Sequence, residues 1–279
     1  MSFDEIERRF VAWAGRREDV RAALVVGSRA RSERPADELS DLDIVLFARS
    51  PERLLDDQQW VQELGDVAIT FVEPTPVGGI LERRVLFTDG ADVDFSVVPA
   101  EVLDDPDQLA GVAAETVGRG ARVLVDTDGA LRSLLSRVPP RRRPEPPSQD
   151  DLTELVNDFW YHAVWAARKL RRGEVFTAKG CVDGYLKRVI LRDLAWHARA
   201  AGDTDTWHEG RFLEEWADPR ALEQLRAAYG HYDRDDVRRA LVATMELFSW
   251  LGPETAERHG LVYPAEAERH AVGLVEQLV

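Results

Sequence analysis

The chain has 279 residues, a single cysteine, 44% hydrophobic residues and a formal net charge of -15. One cysteine excludes an intramolecular disulfide and any CxxC or zinc-ligand set built on thiols. The acidity has the wrong sign for gripping nucleic-acid phosphates, so no nucleic-acid partner is expected, and a cationic small molecule is easier to accommodate. The opening MSFDEIERRF lacks the apolar centre of a signal peptide, and no stretch approaches the roughly 18 apolar residues of a membrane span. A cytoplasmic protein with no membrane partner is therefore expected, and the length favours two domains.

Phe3, Ile6, Phe10 and Trp13 recur at helical spacing behind Ser2, which predicts an amphipathic helix over Ser2 to Ala14 with a serine cap. Val20 to Val26 and Leu42 to Phe47 are apolar, β-branched runs and read as buried strands joined by a long polar loop. Pro51 at a first helical position predicts a helix over Glu52 to Leu64, followed by a strand over Val67 to Val72. Two further runs, Arg84 to Thr88 and Val93 to Val98, flank Asp89-Gly90-Ala91-Asp92 and predict a hairpin. A strand over Arg122 to Val125 and a short helix over Leu131 to Val138 complete this half.

Val138 to Ser148 holds five prolines in eleven residues, a semi-rigid spacer that can continue neither helix nor central strand. The expected organisation is a first domain over 1–138, a linker over 139–148 and a second domain over 149–279. Beyond the linker the pattern is helical: Leu152 to Leu170, Ala178 to Ala201, Pro219 to Tyr229, Asp235 to Leu251 and Ala265 to Leu278, with Trp207 to Trp216 partly irregular. The fold class is α+β, a mixed sheet followed by a helical bundle.

The chemistry concentrates in the first half. Asp41 and Asp43 alternate along a strand and so present two carboxylates on one face, an arrangement that needs a cation and suits Mg²⁺. Asp94, within the apolar run VDFSVV, is placed to supply a third carboxylate; Asp92 shares its face by strand parity and competes for the role. Gly27 lets the main chain approach a phosphate, where the Ser28 hydroxyl and following amides can donate, and Arg29 and Arg31 add positive charge. Alone, a Gly-Ser after a strand is a routine turn and an Asp-x-Asp a routine strand end. In this order they are more specific.

The constellation GSR at Gly27 to Arg29, SDLDIVLF at Ser40 to Phe47 and a later carboxylate resembles the nucleotidyltransferase superfamily that includes DNA polymerase β. DELSDLDI, LFTDGADVDFSVVP, FWYHAVWAARKLRRGE and AKGCVDGYLKR are similar to segments of the aminoglycoside 6-adenylyltransferases, also called streptomycin adenylyltransferases. The resemblance spans nearly the full length. It implies a polymerase β-like nucleotidyltransferase domain joined to a helical substrate-binding domain, with Mg-ATP and an aminoglycoside bound between them.

It further implies two Mg²⁺ ions on Asp41, Asp43 and Asp94, ATP as co-substrate, and transfer of AMP to an acceptor hydroxyl with loss of pyrophosphate held by Gly27, Ser28 and Arg29 or a lysine. Members of related families take the base from the second domain. That points to Asp183, with Lys187 four residues on as a phosphate ligand, although an ordinary i,i+4 ion pair explains the spacing equally and Asp94 could orient the hydroxyl itself. Tyr161, Tyr185, Trp207, Glu209, Glu214 and Glu215 are acidic or aromatic groups suited to lining a polycation site; Tyr185, Trp207 and Glu209 are the expected substrate contacts. Two other readings keep the fold: modification of a protein or nucleic-acid target, and a catalytically silent nucleotide-binding protein.

Overall fold

In the computed structural model, which describes residues 2–75, 79–105, 117–138, 143–202 and 204–279, helix α1 spans Phe3–Ala14. The Ser2 hydroxyl accepts from Glu5 N at 3.2 Å and satisfies one of the orphan amides of the first turn. Ile6, Phe10 and Trp13 form its buried face, each contributing about 1.5–3 kcal/mol of apolar burial. Strand β1 covers Val20–Val26, β2 Leu42–Ala48, β3 Val67–Pro74, β4 Leu81–Phe87, β5 Asp92–Pro99 and β6 Arg122–Asp126. The sheet order is β3-β4-β5-β2-β1-β6. Among the described strands β2 and β5 run parallel and the other neighbours are antiparallel.

Strand alternation divides this sheet into two faces of different character. Ile44, Leu46, Val85, Val93 and Phe95 point to one face, where α1 and Trp60 close a core. Within it Trp60 stacks on Trp13 with centroids 4.7 Å apart and meets Phe95 edge-on. Ala22, Leu24, Phe47 and Val98 point to the other face and pack with Leu103, Leu131 and Leu134, the last two from helix α3, Ala130–Leu135. Asp43, Glu82, Arg84, Asp94 and Ser96 share the parity of that second face, beyond its apolar part.

The helix predicted over Glu52 to Leu64 breaks in the structure. Helix α2 covers Pro51–Asp56, and a separate 3₁₀ segment covers Gln59–Glu63. Asp57 is extended, with φ -90° and ψ 124°, and its carboxylate accepts from Gln59 N at 2.8 Å. The break turns Trp60 inward, where its indole N–H donates to Leu54 O at 2.9 Å. An aspartate that captures a nearby amide competes with helix continuation, which the apolar spacing alone does not reveal.

The chain divides into two units, Met1–Arg143 and Pro144–Val279. In the second, α4 spans Gln149–Arg171, α5 Val175–Gly180, α6 Leu186–Ala200, α7 Leu213–Trp216, α8 Pro219–Ala228, α9 Arg234–Arg258 and α10 Ala265–Leu278. A reciprocal box opens α4: Ser148 Oγ accepts from Asp151 N, and Asp151 accepts from Ser148 N. Phe159 of α4 stacks on Phe248 of α9 at 3.8 Å, and Trp160 donates its indole N–H to Tyr263 OH at 3.0 Å. Between α5 and α6 the helix widens into a π turn, Cys181–Tyr185. Among the described residues no helix is long and apolar enough to cross a membrane.

Candidate active site

The parallel pairing of β2 and β5 sets Asp43 directly beside Asp94. Asp41 precedes β2 by one residue and shares the side of Asp43, so three carboxylates converge. Among the described residues, ligand oxygens of Asp41, Asp43 and Asp94 all lie within 4.8 Å of one another. Asp94 is the buried member, with 6% of its surface exposed. Asp92, the competing candidate, pairs with Leu86 and lies two residues from Asp94 along β5.

Beside this cluster β1 ends at Val26, and Gly27 turns the chain at φ +67°. A Cβ at that position would fall on Asp43 Oδ2, so both the left-handed backbone and the carboxylate's space require glycine. The next side chain, Ser28, holds a hydroxyl that is buried and has no hydrogen-bond partner. A buried unpaired hydroxyl costs free energy unless a ligand completes it, and a phosphate oxygen is a suitable acceptor. The acid cluster, the open cradle at Gly27 and the orphaned Ser28 hydroxyl together fit a hard divalent cation carrying a polyphosphate.

Arg84 on β4 was not foreseen at this site. Counting back from the Asp89-Gly90 turn, the hairpin register places Arg84 opposite Asp94. Its Nε and Nη2 each lie 2.9 Å from a different oxygen of Asp94, and its Nη1 donates to Glu73 at 3.1 Å. Burial nevertheless dominates, pushing the Asp94 pKa up to about 6 against the pull of Arg84. Glu82, one alternation further along β4, is also buried and also raised by desolvation.

Other expected site residues have partners within the chain. Arg29 donates to Asp41 O at 2.9 Å and Ser40 O at 2.6 Å, and its guanidinium lies 3.4 Å over the Phe3 ring. It is a positioning residue that fastens the loop delivering Asp41. Lys187 is buried, donating to Val182 O at 2.9 Å and Thr244 Oγ1 at 2.8 Å, and is therefore turned into the bundle. Desolvation lowers its pKa to about 8. Asp183 pairs instead with Lys179, four residues earlier, and accepts from Gly230 N at 3.3 Å. Asp183 lies on the π turn, and Lys187 lies beyond it on α6.

The expected acceptor contacts also part company. Trp207 is a buried ring, edge-on to Phe212 at 5.5 Å. Glu209 is exposed in a left-handed turn, with φ 52°. Tyr185 sits on the π turn and donates its hydroxyl to Asp158 at 2.8 Å.

A family model described as streptomycin adenylyltransferase matches residues 2–278. The aminoglycoside 6-adenylyltransferase of Bacillus subtilis (strain 168) is 23% identical over 266 residues, covering 91% of this chain and 90% of that protein. The enzyme of the same description from Campylobacter jejuni is 20% identical over 268 residues, covering 92% and 89%. The crystal structure of an aminoglycoside 6-adenyltransferase from Bacillus subtilis aligns with a TM-score of 0.47 and 18% identity, covering 100% of this chain and 98% of that one.

Proposed function

Since this chain belongs to the streptomycin adenylyltransferase family of nucleotidyltransferase enzymes, we propose that it transfers AMP from Mg-ATP to a hydroxyl of an aminoglycoside, streptomycin first among them, with release of pyrophosphate. The observation that carries this reading is the convergence of Asp41, Asp43 and Asp94 beside the Gly27 turn and the unpaired Ser28 hydroxyl. In this proposal Asp41 and Asp43 hold Mg²⁺, with Asp94 as the third carboxylate. When bound, the metal neutralises phosphate charge and favours in-line displacement at the α-phosphorus.

The chain's own groups divide the remaining work. Ser28 Oγ and the main chain at Gly27 take the phosphates of the leaving group, an electrostatic role that strengthens as charge develops. Asp94, the buried member of the cluster, receives and orients the acceptor hydroxyl. Arg84 keeps Asp94 oriented through two hydrogen bonds. Arg29 holds the loop that brings Asp41 into place.

The test is mass spectrometry of streptomycin and other aminoglycosides incubated with the protein and Mg-ATP, with Asp41→Ala alongside. An AMP adduct on streptomycin that the variant does not form is expected. No adduct on any aminoglycoside would refute the assignment, and an adduct that persists in the variant would remove Asp41 from the metal set.

A further inference from the structure

Helix α4 buries one stripe of side chains and leaves another whose chemistry a helical core does not need. Leu155, Phe159, Ala163 and Ala166 are buried, whereas Asp158, Tyr161, His162 and Trp165 recur at i, i+3, i+4 and i+7 on a different side. Tyr161 is 66% exposed, and the Asp158 side chain is 37% exposed. Tyr185, carried by the π turn, closes the group from a second element: its hydroxyl lies 2.8 Å from Asp158 Oδ1 and 3.1 Å from Oδ2. His162 Nδ1 lies 2.7 Å from Asp158 Oδ1.

The rings gather around His162, whose centroid lies 4.1 Å from that of Tyr185, 5.2 Å from that of Tyr161 and 6.5 Å from that of Trp165. Their faces already attract cations of the chain itself: Lys169 Nζ is 5.2 Å from the Trp165 ring and the Arg188 guanidinium 5.7 Å from Tyr185. The largely exposed Tyr161 ring keeps area for another. A carboxylate oriented by two side chains, half open to water and bordered by ring faces, is the arrangement that recognises a planar cation. The ligand's N–H groups donate to the carboxylate while its plane lies on an aromatic face.

We propose that Asp158, with Tyr161, His162 and Tyr185, forms a guanidinium-binding site in the helical unit, and that it holds the guanidinium groups of the streptidine ring of streptomycin. This rests on the aminoglycoside reading above and names the contacts that would choose that acceptor. The group acts on binding rather than on chemistry, so its removal raises the acceptor KM and leaves the KM for ATP unchanged. Tyr185 and His162 orient the carboxylate, and Tyr161 supplies the open face.

The test is calorimetric titration of the full-length protein with streptomycin, together with steady-state kinetics, for wild type, Asp158→Asn and Tyr161→Ala. Weakening of streptomycin binding by about tenfold or more in Asp158→Asn, and by a smaller factor in Tyr161→Ala with an unchanged melting temperature, is expected. Tyr161 is exposed, so its truncation reads binding even where Asp158→Asn loosens the π turn. Wild-type affinity in both variants, while the wild-type protein itself adenylylates streptomycin, would overturn the site and leave the function standing. A wild-type protein that neither binds nor adenylylates any aminoglycoside would overturn the functional reading and this site with it.

Discussion

Gly27 shows how much one missing methyl group decides. It satisfies a left-handed backbone at φ +67° and vacates the space that Asp43 Oδ2 occupies. Gly27→Ala therefore meets two penalties at once, strain of about 1–3 kcal/mol in the turn and displacement of a metal-site carboxylate. We expect a lowered melting temperature and a loss of AMP transfer of about a hundredfold or more, measured by calorimetry and by adduct formation under saturating Mg-ATP. Transfer at the wild-type rate would show that Asp43 can relocate without cost. Arg84 makes a related point: a cation that was not sought holds the buried carboxylate in its orientation.

At the scale of elements, the bundle carries one acid with no visible purpose in packing. Asp193 on α6 is fully buried, and its polar neighbour is the Thr255 hydroxyl of α9. Burial pushes its pKa up to about 7, from 3.8. The folded state thus holds a proton that the unfolded chain releases near pH 4, so this group's stabilising contribution is full in acid and is lost as pH rises through 7. The loss is on the order of 4 kcal/mol at most. Asp193→Asn cannot ionise and should flatten the fall in melting temperature between about pH 4 and pH 7 relative to wild type. Parallel melting curves across that range would show that Asp193 is neutral, or solvated, throughout.

For the whole molecule, the net charge of -15 predicts a kinetic signature rather than a fold. A polycationic acceptor approaches an acidic protein through a field that salt screens beyond about 10 Å at 0.1 M ionic strength. Raising NaCl from about 50 to about 500 mM should therefore raise the KM for streptomycin several-fold, while the KM for ATP, an anion, does not rise in parallel. Equal shifts for both substrates would indicate a nonspecific salt effect on the enzyme.

Much of both units was legible in the sequence because their elements are governed by local chemistry. β1 and α10 fall on the residues that periodicity marks, and the Asp89-Gly90 turn forms the expected hairpin. Strand parity alone puts Asp41 and Asp43 on one side, and the spacing of the motif identifies the family. What only the tertiary structure decided are the pairings between distant segments. The parallel register of β2 and β5 chooses Asp94 over Asp92 as the neighbour of Asp43. The commitment of Arg29 to loop carbonyls, of Lys187 to Thr244 and of Trp207 to Phe212 depends on what surrounds each side chain after folding. The π turn that carries Asp183 and Tyr185 adds a residue to a helical turn whose α-helical spacing the sequence otherwise supports, and the pairing of Tyr185 with Asp158 is made across two elements. Periodicity reports which side of an element is apolar; it carries no information on which polar group another element will place opposite.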